Sequence, residues 1–99
     1  MNQYLVTGYD HTDEGALERR MAVRPHHLDN AKLYKERGNY ITGGAILDDN
    51  GKMIGSAMIL QFENEEELEA WKKGEPYISQ NIFETVDVKP FRLATITIQ

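Results

Sequence analysis

Ninety-nine residues leave room for one domain with a small core, read here as a single unit over residues 1–99. Sixteen Asp and Glu against eleven Lys and Arg give a formal charge of −5 with no basic cluster to offset it, which argues against a phosphate-rich partner such as nucleic acid. There is no cysteine for disulfides, thiolate catalysis or Cys-based zinc, and no run of about twenty apolar residues to span a membrane.

The N-terminus lacks the basic start and apolar run of a signal peptide, so the chain reads as cytoplasmic. Tyr4 to Tyr9, rich in aromatic and β-branched residues, predicts a first strand. From Glu14 to Arg37 the pattern is helical, with Leu17, Met21, Leu28 and Ala31 as the candidate apolar stripe. Pro25 lacks a backbone donor and disfavours helix at Arg24. It predicts two helical pieces, with Pro25 at the first position of the second. Gly38 is placed to end that helix.

Tyr40 to Leu47 reads as the second strand, interrupted by Gly43-Gly44. Asp48-Asp49-Asn50-Gly51 is a turn signal joining it to a third strand, Ile54 to Phe62, in a hairpin. Asn64 with Glu67 resembles a capping box and opens a helix over Glu65 to Lys73. Gly74-Glu75-Pro76 stops it, and Tyr77 to Asn81 reads as a short helical turn. Phe83 to Val88 and Leu93 to Ile98 are the final strands.

The order β-α-β-β-α-β, plus a terminal strand, predicts an α+β fold of the ferredoxin-like kind, an antiparallel sheet with both helices on one side. Ala45-Ile46-Leu47 and Ala57-Met58-Ile59-Leu60 are apolar on both faces of the sheet, and two helices cover only one. The bare face therefore predicts pairing with a second copy, a homodimer.

His27 is the leading candidate for chemistry. Its helix face also carries Ala31 and Tyr34, and in the first turn after Pro25 both burial and the positive end of the helix dipole favour a neutral imidazole. Such a group can act as a general base, or be a core histidine bonded to backbone. His26 points about 100° away and His11 lies in a loop. No common metal-ligand spacing is present, so neither a metal nor a cofactor is expected. Arg24, at the predicted helix start, could hold an anion or form a surface ion pair. Gly43-Gly44 within a strand implies close approach of a ligand or of a packed helix. Glu75 could orient an imidazole or lie in water. Ser56 lacks a nucleophile's setting.

Arg24-Pro25-His26-His27-Leu28 resembles the first-helix segment of the YciI-like (YCII-related) family. The similarity continues through Gly38, Thr42-Gly43-Gly44-Ala45, Gly51 with Gly55-Ser56, Glu75-Pro76-Tyr77 and Val86 to Phe91, in the right order. The resemblance implies a dimeric α/β barrel and a pocket between helix and sheet with a His–Asp dyad. The histidine corresponds to His27. The aspartate's position holds Glu75, whose extra methylene requires the carboxylate to fold back. Activities in the family and its wider fold relatives concern small cyclic or enol-type substrates, through isomerase, lyase or dehalogenating steps.

Together these imply a cofactor-free enzyme in which His27 is the base, Glu75 orients it, and Arg24, Gly43, Gly44, Ser56 and Tyr77 line the place of a small-molecule substrate. The competing expectation is a non-catalytic ligand-binding or accessory protein. Haem chemistry, known among wider fold relatives, has no dedicated signal in the chain.

Overall fold

In the structure, a computed structural model describing residues 1–98, the elements follow in the order β1 (Asn2–Asp10), α1 (Ala16–Glu36), β2 (Tyr40–Leu47), β3 (Met53–Phe62), α2 (Glu65–Gly74), α3 (Pro76–Ser79) and β4 (Phe83–Phe91). The strands form one antiparallel sheet in the order β2-β3-β1-β4, with Leu5 opposite both Ile59 and Lys89. This is the ferredoxin-like α+β arrangement expected from the sequence. No helix among the described residues is long and apolar enough to cross a membrane.

Strand alternation sorts the side chains. Tyr4 and Val6 on β1 and Met58, Leu60 and Phe62 on β3 point to the helices, where they meet Leu68, Trp71, Tyr77, Ile82 and Phe83. The opposite phase, with Leu5, Ala57, Ile59 and Ile46 at its centre, faces away from the helices and is only half-buried.

Local signals close the elements. Gly38 adopts φ +84°, a left-handed conformation that favours glycine, while the Asn39 amide donates to the Tyr34 carbonyl. In the hairpin turn the Asp48 carboxylate accepts from the Asn50 and Lys52 amides, and Gly51 takes φ +80°. Asn64 caps α2 by accepting from the Glu67 amide at 3.0 Å. Glu67 in turn accepts from the Glu63 amide at 2.9 Å, one residue before the amide a capping box uses.

Three expectations need correction. First, α1 runs unbroken through Pro25. Pro25 and Met21 both lie on the exposed side, so the Met21 carbonyl that loses its partner faces water. His27 is consequently mid-helix, outside the reach of the N-terminal dipole, and Arg24 is helical. Second, Met21 and Leu28 are exposed rather than inward. The stripe that α1 turns to the sheet is Ala16, Arg20, Val23 and Arg24, His27, Asn30 and Ala31, and Tyr34, at three- and four-residue spacing. Much of that stripe is polar. Third, Leu93 to Ile98 forms no strand within the chain. The β1–β4 ladder ends at Gln3 opposite Phe91, and β1 has almost no residues left to pair beyond that point.

Candidate functional site

The polar stripe of α1 lies over β1, β3 and the loop between α2 and α3, and this juxtaposition builds the site. Glu75 follows α2 and caps α3. Pro76 occupies the first turn of α3, where a missing amide costs nothing, and the Glu75 carboxylate folds back to accept from the Tyr77 amide at 3.1 Å. That fold brings Oε1 to 2.5 Å from Nδ1 of His27. Oε2 accepts from Asn30 Nδ2 at 3.1 Å, so the two oxygens of one carboxylate serve three donors. Glu75 is 1 % exposed and His27 7 %. The extra methylene relative to aspartate is accommodated by the cap conformation.

A carboxylate at Nδ1 holds the imidazole proton there and leaves the Nε2 lone pair available. Nε2 has no hydrogen-bond partner among the described residues, and it is not among the atoms sealed from the surface. The pair can therefore accept a proton at Nε2 while the resulting positive charge rests against Glu75.

Tyr77 packs its ring on His27, with centroids 4.1 Å apart and planes 15° from parallel. The Arg20 guanidinium sits 4.5 Å from the Tyr77 ring centroid. Arg20 is itself held by Asp10 at 2.9 Å and by the Ser56 hydroxyl at 2.6 Å, both inside the fold. One Asp10 oxygen, Oδ2, and Arg20 Nε remain buried without partners. Burial raises the Asp10 carboxyl above its ordinary range, with the Arg20 charge pulling the other way. Burial likewise pushes the Tyr77 phenol up against the opposing charges of Arg20 and Arg24, and lifts Tyr40, where the Glu75 charge adds to the effect.

Of the residues singled out in the sequence, His27, Glu75 and Tyr77 come together directly. Arg24 shares their helix stripe, is half-buried and has no ion-pair partner among the described residues. Ser56 is near but committed to Arg20. Gly43 opposes Met58 and so lies on the helix side, where a Cβ would collide with the Tyr40 hydroxyl; its lack of a side chain answers to packing. Gly44 opposes Ala57 on the bare face, away from this site, with open space at its Cα. His26 is exposed, and His11 lies apart, 3.4 Å from Glu84. Clefts of about 500 Å³ beside Val23, His26 and Pro76 and of about 300 Å³ beside Asp10, His11 and Lys52 open in the surface, but neither is lined by His27 or Glu75.

The sequence reading missed Arg20, Asp10, Asn30 and Tyr40. Two signals carried part of this. Arg20, Arg24, His27, Asn30 and Tyr34 share helical spacing, and Asp10 continues the inward phase of Tyr4, Val6 and Gly8.

Fold and site together define a ferredoxin-like protein with a buried histidine–carboxylate pair between its first helix and its sheet. Residues 3–92 match the YCII-related domain, and the chain belongs to that family. It is 35 % identical over 95 residues to Protein YciI of Escherichia coli O6:H1, covering 90 % of this chain and 95 % of that one. An uncharacterized protein of Haemophilus influenzae is 37 % identical over 82 residues, with 77 % and 84 % covered. Among solved structures, a 5-chloro-2-hydroxyhydroquinone dehydrochlorinase (TftG) from Burkholderia phenoliruptrix, in complex with 2,5-dihydroxybenzoquinone, is similar in fold. Its TM-score is 0.78 at 22 % identity, with 93 % of this chain and 95 % of that chain covered. A NIPSNAP domain protein from Burkholderia xenovorans is more distant, with a TM-score of 0.54, 16 % identity and full coverage of both chains.

Proposed function

We propose that this protein is a small enzyme that abstracts a proton from a small cyclic or enol-type compound, in an isomerase-, lyase- or dehydrochlorinase-like step. His27 is the base through Nε2, Glu75 fixes its tautomer and offsets the charge it acquires, and Arg24 binds an anionic oxygen of the substrate. Tyr77 forms the wall against which the imidazole stacks, and Gly43 and Tyr40 border the sheet side. Ser56 contributes by holding Arg20.

The observation that carries this reading is the 2.5 Å contact between His27 Nδ1 and Glu75 Oε1 with Nε2 left free. The buried carboxylate holds the imidazole in one tautomer and leaves at the surface the ring nitrogen that a base needs. The dehydrochlorinase that shares the fold was captured with a dihydroxybenzoquinone, which supports a hydroxylated ring as substrate class. The competing reading, a non-catalytic binding or accessory protein, draws on the close packing of the pair and the absence of His27 from the two clefts.

We further propose that the protein acts in the cytoplasm as a homodimer, paired through the bare sheet face. Leu5, Ala57, Ile59 and Ile46 form the apolar centre of that face, and Gln3, Gln61, Thr42, Asp87 and Lys89 form its polar rim.

The test is exchange of the ring hydrogens of 2,5-dihydroxybenzoquinone for solvent deuterium, followed by NMR with other hydroxyquinones and cyclic enols in parallel. The wild type is expected to accelerate exchange of at least one probe, and His27→Gln to lose roughly 10²–10⁴-fold of that rate. A folded His27→Gln protein that exchanges the same probe at the wild-type rate removes His27 as the base. If no probe is accelerated by the wild type but one binds, the binding-protein reading replaces the enzyme.

A further inference from the structure

Tyr77 is 1 % exposed, yet its hydroxyl has no hydrogen-bond partner among the described residues. The phenol oxygen is also not one of the unpaired polar atoms sealed from the surface, which are Asp10 Oδ2 and Arg20 Nε. The little surface that Tyr77 shows therefore includes its hydroxyl. A buried hydroxyl without a partner lowers stability, and phenylalanine would fill the same space without that penalty. The fold has no use for this oxygen.

Its place ties it to the histidine. Glu75 Oε1 accepts from Nδ1 of His27 and from the main-chain amide of Tyr77, so both residues are pinned at one atom. From there the two rings run nearly parallel, 15° apart with centroids 4.1 Å from each other. Each ring is free at the end remote from that oxygen: Nε2 in the imidazole, the hydroxyl in the phenol. Burial raises the phenol above its ordinary value, so at neutral pH it is an intact O–H donor. Of the charges that act on it, Arg20 and Arg24 weigh most and Glu75 least, as befits a hydroxyl at the far end of the stack.

We propose that the Tyr77 hydroxyl is a further catalytic group. It donates a hydrogen bond to the substrate oxygen that gains charge as His27 removes a proton from the adjacent carbon. The inference rests on the proton-abstraction reading above and narrows its substrate class to compounds with a carbonyl beside the acidic C–H. In that step the proton passes from carbon to Nε2. The C–H electron pair becomes the carbon–carbon double bond of the enolate, and the carbonyl pair moves to oxygen. There it meets a donor already held in place, by the stack on His27 and by the Arg20 guanidinium 4.5 Å from the ring centroid. Return of a proton from Nε2 to carbon restores the protein. In heavy water, where Nε2 has exchanged with solvent, that return leaves deuterium on the substrate.

The experiment compares the wild type with Tyr77→Phe, which deletes only the hydroxyl, and with His27→Gln. Three quantities are read: the urea midpoint, the affinity for 2,5-dihydroxybenzoquinone by calorimetry, and deuterium exchange of the same compound. Tyr77→Phe is expected to unfold at the same urea concentration as the wild type or higher, because its hydroxyl has no partner to lose. Its affinity should fall at least tenfold, the usual effect of losing a donor to a charged oxygen. Its exchange rate at low substrate concentration should fall about 10²-fold. The nitrogen-15 shifts of His27 should stay those of the wild type, which separates a lost donor from a disturbed base. Wild-type affinity and exchange in Tyr77→Phe overturn the inference, whatever its urea midpoint. A wild type that neither binds nor exchanges this compound overturns it too. Loss of exchange in His27→Gln alone leaves the base standing without the donor. Loss of affinity in Tyr77→Phe, with full exchange in His27→Gln, leaves the donor standing without the base.

Discussion

Glu75→Ala removes the one acceptor shared by three donors. The His27 Nδ1 and Tyr77 amide protons are both buried, whereas the half-buried Asn30 amide can rotate toward solvent. Each buried donor left unpaired costs about 1–3 kcal/mol, so the substitution should cost roughly 2–6 kcal/mol, with the lost cap of α3 included in the Tyr77 share. A domain of this size has about 5–15 kcal/mol in total, so the variant should be close to its limit. Urea unfolding followed by far-UV circular dichroism and by Trp71 fluorescence reads the effect, since Trp71 is 1 % exposed. At a slope of ~1.5 kcal/mol per molar, a loss of about 4 kcal/mol lowers the midpoint by roughly 2–3 M. Glu75→Asp is the conservative control. Aspartate caps a helix well and is the residue the family resemblance places at this position, so this variant should keep the carboxylate on His27 and lose less than about 1 kcal/mol. Nitrogen-15 shifts of His27 should show a proton on Nδ1 in the wild type and in Glu75→Asp, and a mixture of tautomers in Glu75→Ala. A Glu75→Ala protein within about 1 kcal/mol of wild type, with the tautomer unchanged, would falsify the account of the buried pair.

Ser56→Ala removes the 2.6 Å bond to the Arg20 guanidinium and should cost about 1.5–3 kcal/mol in the same urea assay, the usual worth of a buried bond to a charged group. Pro25→Ala restores the missing amide donor in mid-helix and should stabilise by about 1–3 kcal/mol in thermal or urea unfolding, because Pro25 lies toward the exposed side of α1. The Tyr40 and Tyr77 phenols are raised above the ordinary 10.0, so in alkali the unfolded chain releases their protons first and the folded state holds more of them. Stability should therefore fall as pH rises past 10, and Tyr77→Phe should flatten the decline measured by urea unfolding across that range.

The strands and turns were legible in the chain because their signals are local. Aromatic and β-branched residues located β1, an apolar run located β3, the Asp48–Gly51 turn set the hairpin, and Asn64 and Gly38 marked helix ends. The first helix was legible only as a helix. Its orientation was misread, since the search for an apolar stripe selected Met21 and Leu28, and the stripe that faces the sheet contains Arg20, Arg24, His27 and Asn30. A helix buries a polar stripe only where partners wait for it. Those partners, Asp10, Ser56 and Glu75, are 10, 36 and 48 residues away along the chain.

Proline shows the same division. Its missing donor is a fact of the residue, but whether that breaks a helix depends on where the orphaned carbonyl points. Here it points to water, and α1 continues.

The amino-acid order by itself located the four strands of the sheet, the hairpin turn and the ends marked by Gly38 and Asn64, and singled out His27 and Glu75, since each follows from short-range sterics, hydrogen-bonding capacity or motif. Only the tertiary structure decided that Glu75 folds back as a helix cap to meet His27, that Arg20 locks against Asp10 and Ser56, and that Leu93 to Ile98 has no strand beside it. Those outcomes depend on which distant groups the sheet order brings within about 3 Å, the distance over which a hydrogen bond acts.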